Sequence, residues 1–276
     1  MISVILPSRG RPESLYRAVS SLAYGDVEIL VGLDSDDPTA GEAERLLAEF
    51  PQARVHINPR MGTLHVLDNH LAKRAQGDFL MVFTDDYTIP DYEWAQKVET
   101  SFVSFPDGWG IAYPMDAMYP HFSTFPILPR KLVDLAGYFL PPVFPFLFGD
   151  TWWNEVGVMS ALIAPVPGIE VKIDGDTGHI HNYRDLKLWS EIFHATRPLR
   201  EELAMKLIDK AVGGTKQADY LVQTMEERKQ ALIQLHAPFL TDEFCNKWDK
   251  VGDGFPHPHY TDLKTKAVAF MEAMSV

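Results

Sequence analysis

The sequence has 276 residues, 46% hydrophobic and 12% aromatic, with 25 Lys and Arg against 38 Asp and Glu, a formal charge of −13. A chain of this length buries about 70–75% of its unfolded surface, so its core stands alone, and its acid excess argues against gripping nucleic acid, which needs clustered Lys and Arg on phosphates. A single cysteine, Cys245, forms no intrachain disulfide; nothing calls for an oxidising compartment, and a cytoplasmic protein with a buried, inert thiol is expected.

The chain opens on an apolar run of strand length, residues 2–6, with no basic segment ahead of it, which is unlike a signal peptide. Further strand-like runs at 27–33, 54–57 and 79–83 are separated by helix-like stretches. The first, 12–23, starts on Pro12 and repeats Leu15, Val19 and Leu22 on one face; another covers 64–75 and ends near Gly77. Such alternation predicts a mostly parallel, Rossmann-like α/β sheet flanked by helices, with ligands outside the carboxyl ends of the strands.

After about residue 105 the rhythm gives way to a Pro- and aromatic-rich stretch, 113–148, expected as loops and short strands around a pocket. Its most apolar part, 137–149, holds three prolines and is shorter than the about 20 residues that span a bilayer, so no transmembrane segment is expected. A helix over about 150–160 and a strand around 170–173 follow. From 186 the pattern turns helical, notably at 220–235 and 262–274. The expected organisation is one domain over 1–185 and a helical C-terminal extension, 186–276, packed on it. The acid excess lies in the first part, with 13 basic against 25 acidic side chains, compared with 12 against 13 in the second.

Three strand ends carry polar clusters: Pro7-Ser8-Arg9-Gly10-Arg11-Pro12, Leu33-Asp34-Ser35-Asp36-Asp37 and Phe83-Thr84-Asp85-Asp86. Adjacent carboxylates repel, and a divalent cation or its waters would neutralise them. Solvated turns account for many Asp-Asp pairs, but few recur at consecutive strand ends.

These residues resemble the GT-A fold nucleotide-diphospho-sugar glycosyltransferases, specifically the family 2 group. The opening Ile2 to Pro12 is similar to that family's first strand and turn, and Val31-Gly32-Leu33-Asp34-Ser35-Asp36 to its second strand and acidic base-binding loop. The segment from Gly77 through Asp85-Asp86 to Asp91 resembles its metal-binding motif, and Phe148-Gly149-Asp150-Thr151-Trp152-Trp153 the element that supplies the catalytic base. The resemblance covers about residues 1–160.

The resemblance implies a nucleotide-diphosphate sugar donor, a UDP-sugar first among them, and a divalent cofactor, Mn²⁺ or Mg²⁺. Asp86 would be the direct metal ligand, with Asp85 beside it on the ribose or the metal's waters. Phe83 departs from the commoner Asp-x-Asp form, leaving fewer protein oxygens for the ion. Asp34 would accept the base N–H, with Asp36 a weaker substitute. Pro7, Arg9 and Arg11 would line the donor crevice, where guanidinium groups pair well with phosphate; Arg60 and Asn69 are further donor-facing candidates.

Asp150 would be the base of an inverting transfer, taking the acceptor hydroxyl's proton as that oxygen attacks the anomeric carbon; a helix-capping role is compatible. Trp152 and Trp153 fit either a sugar-stacking wall or the core. Of His179 and His181, either could reach the metal or diphosphate, whereas His257 and His259 read as a loop.

The expected enzyme is a metal-dependent glycosyltransferase whose acceptor, a glycan, a lipid-linked sugar or a small molecule, is not written in these residues. A degenerate family member that binds a nucleotide or glycan without turnover fits the loss of an acid at Phe83. A sugar-nucleotidyltransferase fits less well, since the turn after the first strand holds one glycine. The helical extension leaves homo-oligomerisation open and lacks a basic face for anionic lipid.

Overall fold

The computed structural model describes residues 1–61, 63–174, 185–248 and 260–274. Four strands, β1 (Ile2–Pro7), β2 (Val27–Asp34), β3 (Ala53–Asn58) and β4 (Phe79–Val82), run parallel in the order β3-β2-β1-β4. Their apolar side chains alternate between the faces of the sheet. Ile2, Val4, Leu6, Ile29, Val31 and Leu33 join a core beneath α1 (Pro12–Leu22), α2 (Ala40–Leu47) and α4 (Trp94–Ser101). Ile5, Leu30 and Leu80 face α3 (Leu64–Ala72) and the second half of the chain. Burial on both faces explains why these strands read as continuous apolar runs.

The sheet then becomes mixed. Strand β5 (Tyr87–Thr88) is a short extension after β4, and β6 (Ile111–Asp116), β7 (Ile127–Pro129) and β8 (Ile163–Ile173) complete the order β3-β2-β1-β4-β7-β6-β8-β5. β7 pairs antiparallel with both β4 and β6, while β6 and β8 are parallel. The expected strand at 170–173 is therefore the end of an eleven-residue strand. Its first half, with Pro165, Pro167 and Gly168, carries no strand signature in sequence.

Helices α5 (Arg130–Ala136) and α6 (Gly149–Ser160) follow β7. α6 is buried over ten of its twelve residues, polar Asn154 and Glu155 among them, as befits a helix enclosed by others. The helical region supplies its cover: α7 (Leu186–Ala195), α8 (Arg197–Val212), α9 (Lys216–Gln223), α10 (Met225–His236), α11 (Asp242–Trp248) and α12 (Tyr260–Met274). Trp189, Phe193, Leu207 and Leu232 from these helices share one core with Trp152, Trp153 and Val156 of α6. The helix expected over 220–235 is two helices that meet at Thr224, whose hydroxyl bonds the Tyr220 carbonyl at 2.8 Å. Among the described residues no helix is long and apolar enough to cross a membrane.

Candidate active site

The carboxyl edge of the parallel strands gathers the acidic and basic side chains. After β1 the chain turns through Gly10 at φ 72°, a left-handed conformation that glycine adopts freely. Asp37 holds this turn against the loop after β2, accepting the Gly10 N–H at 2.9 Å and the Thr39 N–H and hydroxyl at 2.9 and 2.8 Å. Burial pushes the Asp37 carboxyl up, but these hydrogen bonds bring it below its ordinary value. In the sequence Asp37 is one of a run of acids, and nothing singles out this bracing role.

Arg9 leaves the turn toward β2, placing Nη1 at 3.0 Å from Asp34 Oδ2 and 2.6 Å from Asp36 Oδ1. Arg60 approaches the other oxygen of Asp36 at 3.7 Å. Burial raises the Asp34 carboxyl despite Arg9, while the Arg9 hydrogen bond holds Asp36 down. Pro7 ends β1 beside Gly32, where Ser8 donates its N–H to the Gly32 carbonyl at 2.9 Å.

Arg11 turns the other way, into an ion pair with Asp85, and the Ser8 hydroxyl donates to the second Asp85 oxygen at 2.5 Å. Asp85 is 1% exposed. Burial lifts its carboxyl against the pull of Arg11 and Ser8, and neighbouring Asp86 adds to the rise. Asp86 is half-buried; its carbonyl accepts the Asp174 N–H at 2.8 Å. The two acids are thus differentiated: Asp85 is locked between the turns after β1 and β4, and Asp86 is half-buried. Phe83, at the departure from the acidic motif, is fully buried against Phe125, with ring centroids 4.7 Å apart.

His179 and His181 lie outside the described residues, as do His257 and His259. Asp174, the last residue described before 175–184, is the residue bonded to Asp86. Among the described residues no three His, Cys, Asp or Glu side chains cluster as a ready-made metal site. With Asp85 occupied by Arg11 and Ser8, the carboxylate suited to a hard cation is Asp86, and most of the ion's oxygens would come from phosphate and water.

Asp150 lies in the first turn of α6, and its Oδ1 accepts the Thr151 N–H at 2.6 Å and hydroxyl at 3.1 Å. Burial raises its carboxyl; the Thr151 bonds and the nearby His236 oppose the rise. Gly149 packs against His65 of α3, whose Nε2 would be 2.9 Å from a Cβ at that position. His65 Nδ1 is 3.1 Å from the Pro141 carbonyl. Since α3 begins just past the carboxyl end of β3, this contact brings the Asp150 turn to the same edge of the sheet.

Three sequence candidates have other partners. Asn69 clamps the 139–140 backbone, donating to the Leu140 carbonyl at 2.7 Å and accepting from the Phe139 and Leu140 N–H groups. Trp152 and Trp153 are core residues, 2% and 0% exposed, and Trp153 donates to the Phe139 carbonyl at 2.7 Å. Cys245 is buried.

Comparison with known proteins agrees with this architecture. Residues 3–105 match the family model described as glycosyl transferase family 2. Among curated proteins no sequence match is found. The chain superposes on the mannosyltransferase PcManGT from Pyrobaculum calidifontis, in complex with GDP-Man and Mn²⁺, with TM-score 0.55 and 15% identity over 90% of this chain and 87% of that one. It also superposes on S. aureus TarS 1-349 in complex with UDP-GlcNAc, with TM-score 0.54 and 15% identity over 99% of this chain and 83% of that one. Residues 3–105 are thus similar to the glycosyl transferase family 2 model, and the chain shares the fold of these two structures.

Proposed function

We propose that the protein transfers a sugar from a nucleoside-diphosphate sugar, with UDP-sugars the first donors to test, to a hydroxyl acceptor with inversion at the anomeric carbon. The observation that carries this reading is the division of labour at the carboxyl edge: Arg9 on Asp34, Arg11 on Asp85, and Asp86 without a side-chain hydrogen bond or ion pair among the described residues. Asp34 would accept the N–H of the base, and Asp85, fixed from below, would present the ribose side of the crevice. A divalent ion, Mn²⁺ or Mg²⁺, held by Asp86 and the donor's phosphate oxygens would supply charge stabilisation for the departing diphosphate. His179 or His181 is the candidate for a further ligand.

Asp150 would act as the base. The acceptor oxygen forms its bond to the anomeric carbon while the bond to the diphosphate oxygen breaks, its electron pair leaving with the diphosphate, and the acceptor's proton passes to the carboxylate. A raised carboxyl suits that task, because a base is most effective when its pKa approaches working pH. Support for the class comes from nucleotide sugars bound in the related structures, GDP-Man in one and UDP-GlcNAc in another.

Asp150→Asn tests the reading. It should leave diphosphate affinity within about twofold while turnover falls at least a hundredfold, the scale of a lost general base. Unchanged turnover would overturn the assignment. Nucleotide binding with no turnover in the parent protein would favour a binding protein, to which buried Phe83 at the missing acidic position already points.

A further inference from the structure

Phe148, two residues before Asp150, adopts φ 65° and ψ 7°, a left-handed backbone that is unfavourable for a bulky L-residue. The helical region holds it there. Its ring stacks on Phe193 of α7, with centroids 4.7 Å apart and planes at 17°, and touches Phe239 at 6.0 Å. His236, the last residue of α10, lies flat on Phe239 at 4.9 Å and meets Phe193 edge-on at 5.8 Å. The same imidazole puts Nδ1 2.8 Å from Oε1 of Glu155, on the far side of Asp150 along α6.

Glu155 is fully buried and also holds Arg197 at 3.2 Å and Arg200 at 2.5 Å. Burial opposes its charge, but His236, Arg200 and Arg197 outweigh it and hold the carboxyl at about 2. One turn back on the same face is Thr151, which donates twice to Asp150. Asp150 is thereby bracketed, with Phe148 before it and Glu155 after it, and His236 touches the clamp on both sides.

We propose that His236 is a positioning residue for Asp150, joining Glu155 to the Phe193–Phe239 stack so that the C-terminal helices set the turn that carries the base. The inference rests on the reading of Asp150 as that base. Its chemistry is electrostatic as well as steric. Two guanidinium groups face the Glu155 carboxylate, and His236 works against the burial that raises Asp150. The groups involved are His65 on α3, Glu155 on α6, His194 on α7, Arg197 and Arg200 on α8, and His236 itself.

The test compares His236→Leu with His236→Asn, whose side-chain amide can replace the Nδ1–H donor, in the full-length protein. The Asp150 carboxyl ¹³C resonance, assigned by its loss in Asp150→Asn, reports the coupling whether or not a donor turns over. In His236→Leu its titration midpoint should move to higher pH, and His236→Asn should restore it. Release of UDP from UDP-GlcNAc and of GDP from GDP-mannose, with water as acceptor, should fall roughly ten- to a hundredfold in His236→Leu, as expected for a misplaced catalytic group. UDP affinity should stay within about twofold, and His236→Leu should cause no further loss in the Asp150→Asn background, since acting through one residue is non-additive. An unmoved midpoint in His236→Leu overturns the proposal. A midpoint that moves while Asp150→Asn turns over normally leaves the coupling intact and overturns the base reading instead. Should His236→Leu not fold, Phe193→Leu is read by the same resonance with the same two outcomes.

Discussion

Arg11 and Asp85, from the turns after β1 and β4, form an ion pair beneath the crevice that holds two consecutive carboxyl ends of the sheet together. The pair distinguishes the adjacent acids, since Asp85 is buried and paired whereas Asp86 is half-buried. It also makes Arg11 more than a surface charge.

Replacing Arg11 with Met would strand the Asp85 carboxylate with Ser8 alone as its described partner. Breaking one half of a buried pair costs about 3–5 kcal/mol, so urea denaturation should show a loss of that order, with weakened diphosphate binding. Adding Asp85→Asn should recover much of the stability but not the binding. A loss under about 1 kcal/mol in the single variant would mean that solvent reaches the pair.

Glu155 gives the fold an acid-sensitive joint. Its folded value of about 2 lies below the ordinary 4.5, so its contribution is fully present above about pH 4.5 and is lost as pH falls toward 2. The difference amounts to about 3 kcal/mol. Glu155→Gln should destabilise at pH 7 and flatten the slope of stability between pH 4.5 and 2. A parallel pH profile in the variant would contradict the clamp.

His65 acts in a different window. Burial pulls its imidazole down to about 4 from the usual 6.5, against the Pro141 hydrogen bond. The unfolded chain takes up the proton first, so stability present above pH 6.5 should decline by about 3 kcal/mol as pH falls to 4. His65→Asn, which can keep the bond to the Pro141 carbonyl, should remove that slope. Chemical denaturation at half-unit pH steps reads both variants.

Glycines separate close approach from chance. A Cβ on Gly77 would lie 2.8 Å from the Met1 carbonyl oxygen and the Ser3 nitrogen, backbone atoms that cannot swing aside. Gly77→Ala should therefore destabilise by about 1–3 kcal/mol, as overpacking does. Gly41 in α2 has nothing within 4 Å, and Gly41→Ala should stabilise by up to about 1 kcal/mol through helix propensity. Melting curves showing equal effects would contradict the packing.

What could be read from sequence followed the distance between interacting residues. The parallel strands were legible because Ile2 to Leu6 and Val27 to Leu33 are apolar on both faces, and the acidic turns because their residues are neighbours in the chain. β7 was hidden by its three-residue length and the start of β8 by its prolines. The Arg11–Asp85 pair left no local trace, and neither did the His236–Glu155 contact, whose residues are 81 positions apart. Asn69 has the chemistry of a ligand-facing residue, and only tertiary structure shows that the 139–140 backbone and the His65 carbonyl use its amide.

The most direct test of the central claim is a calorimetric titration of the full-length protein with UDP and with GDP, each with and without Mn²⁺, repeated on Asp86→Asn. A donor site of the proposed kind binds one of the diphosphates more tightly with the metal, and Asp86→Asn abolishes that enhancement. Failure of both diphosphates to bind under either condition, or an enhancement that survives Asp86→Asn, would contradict it.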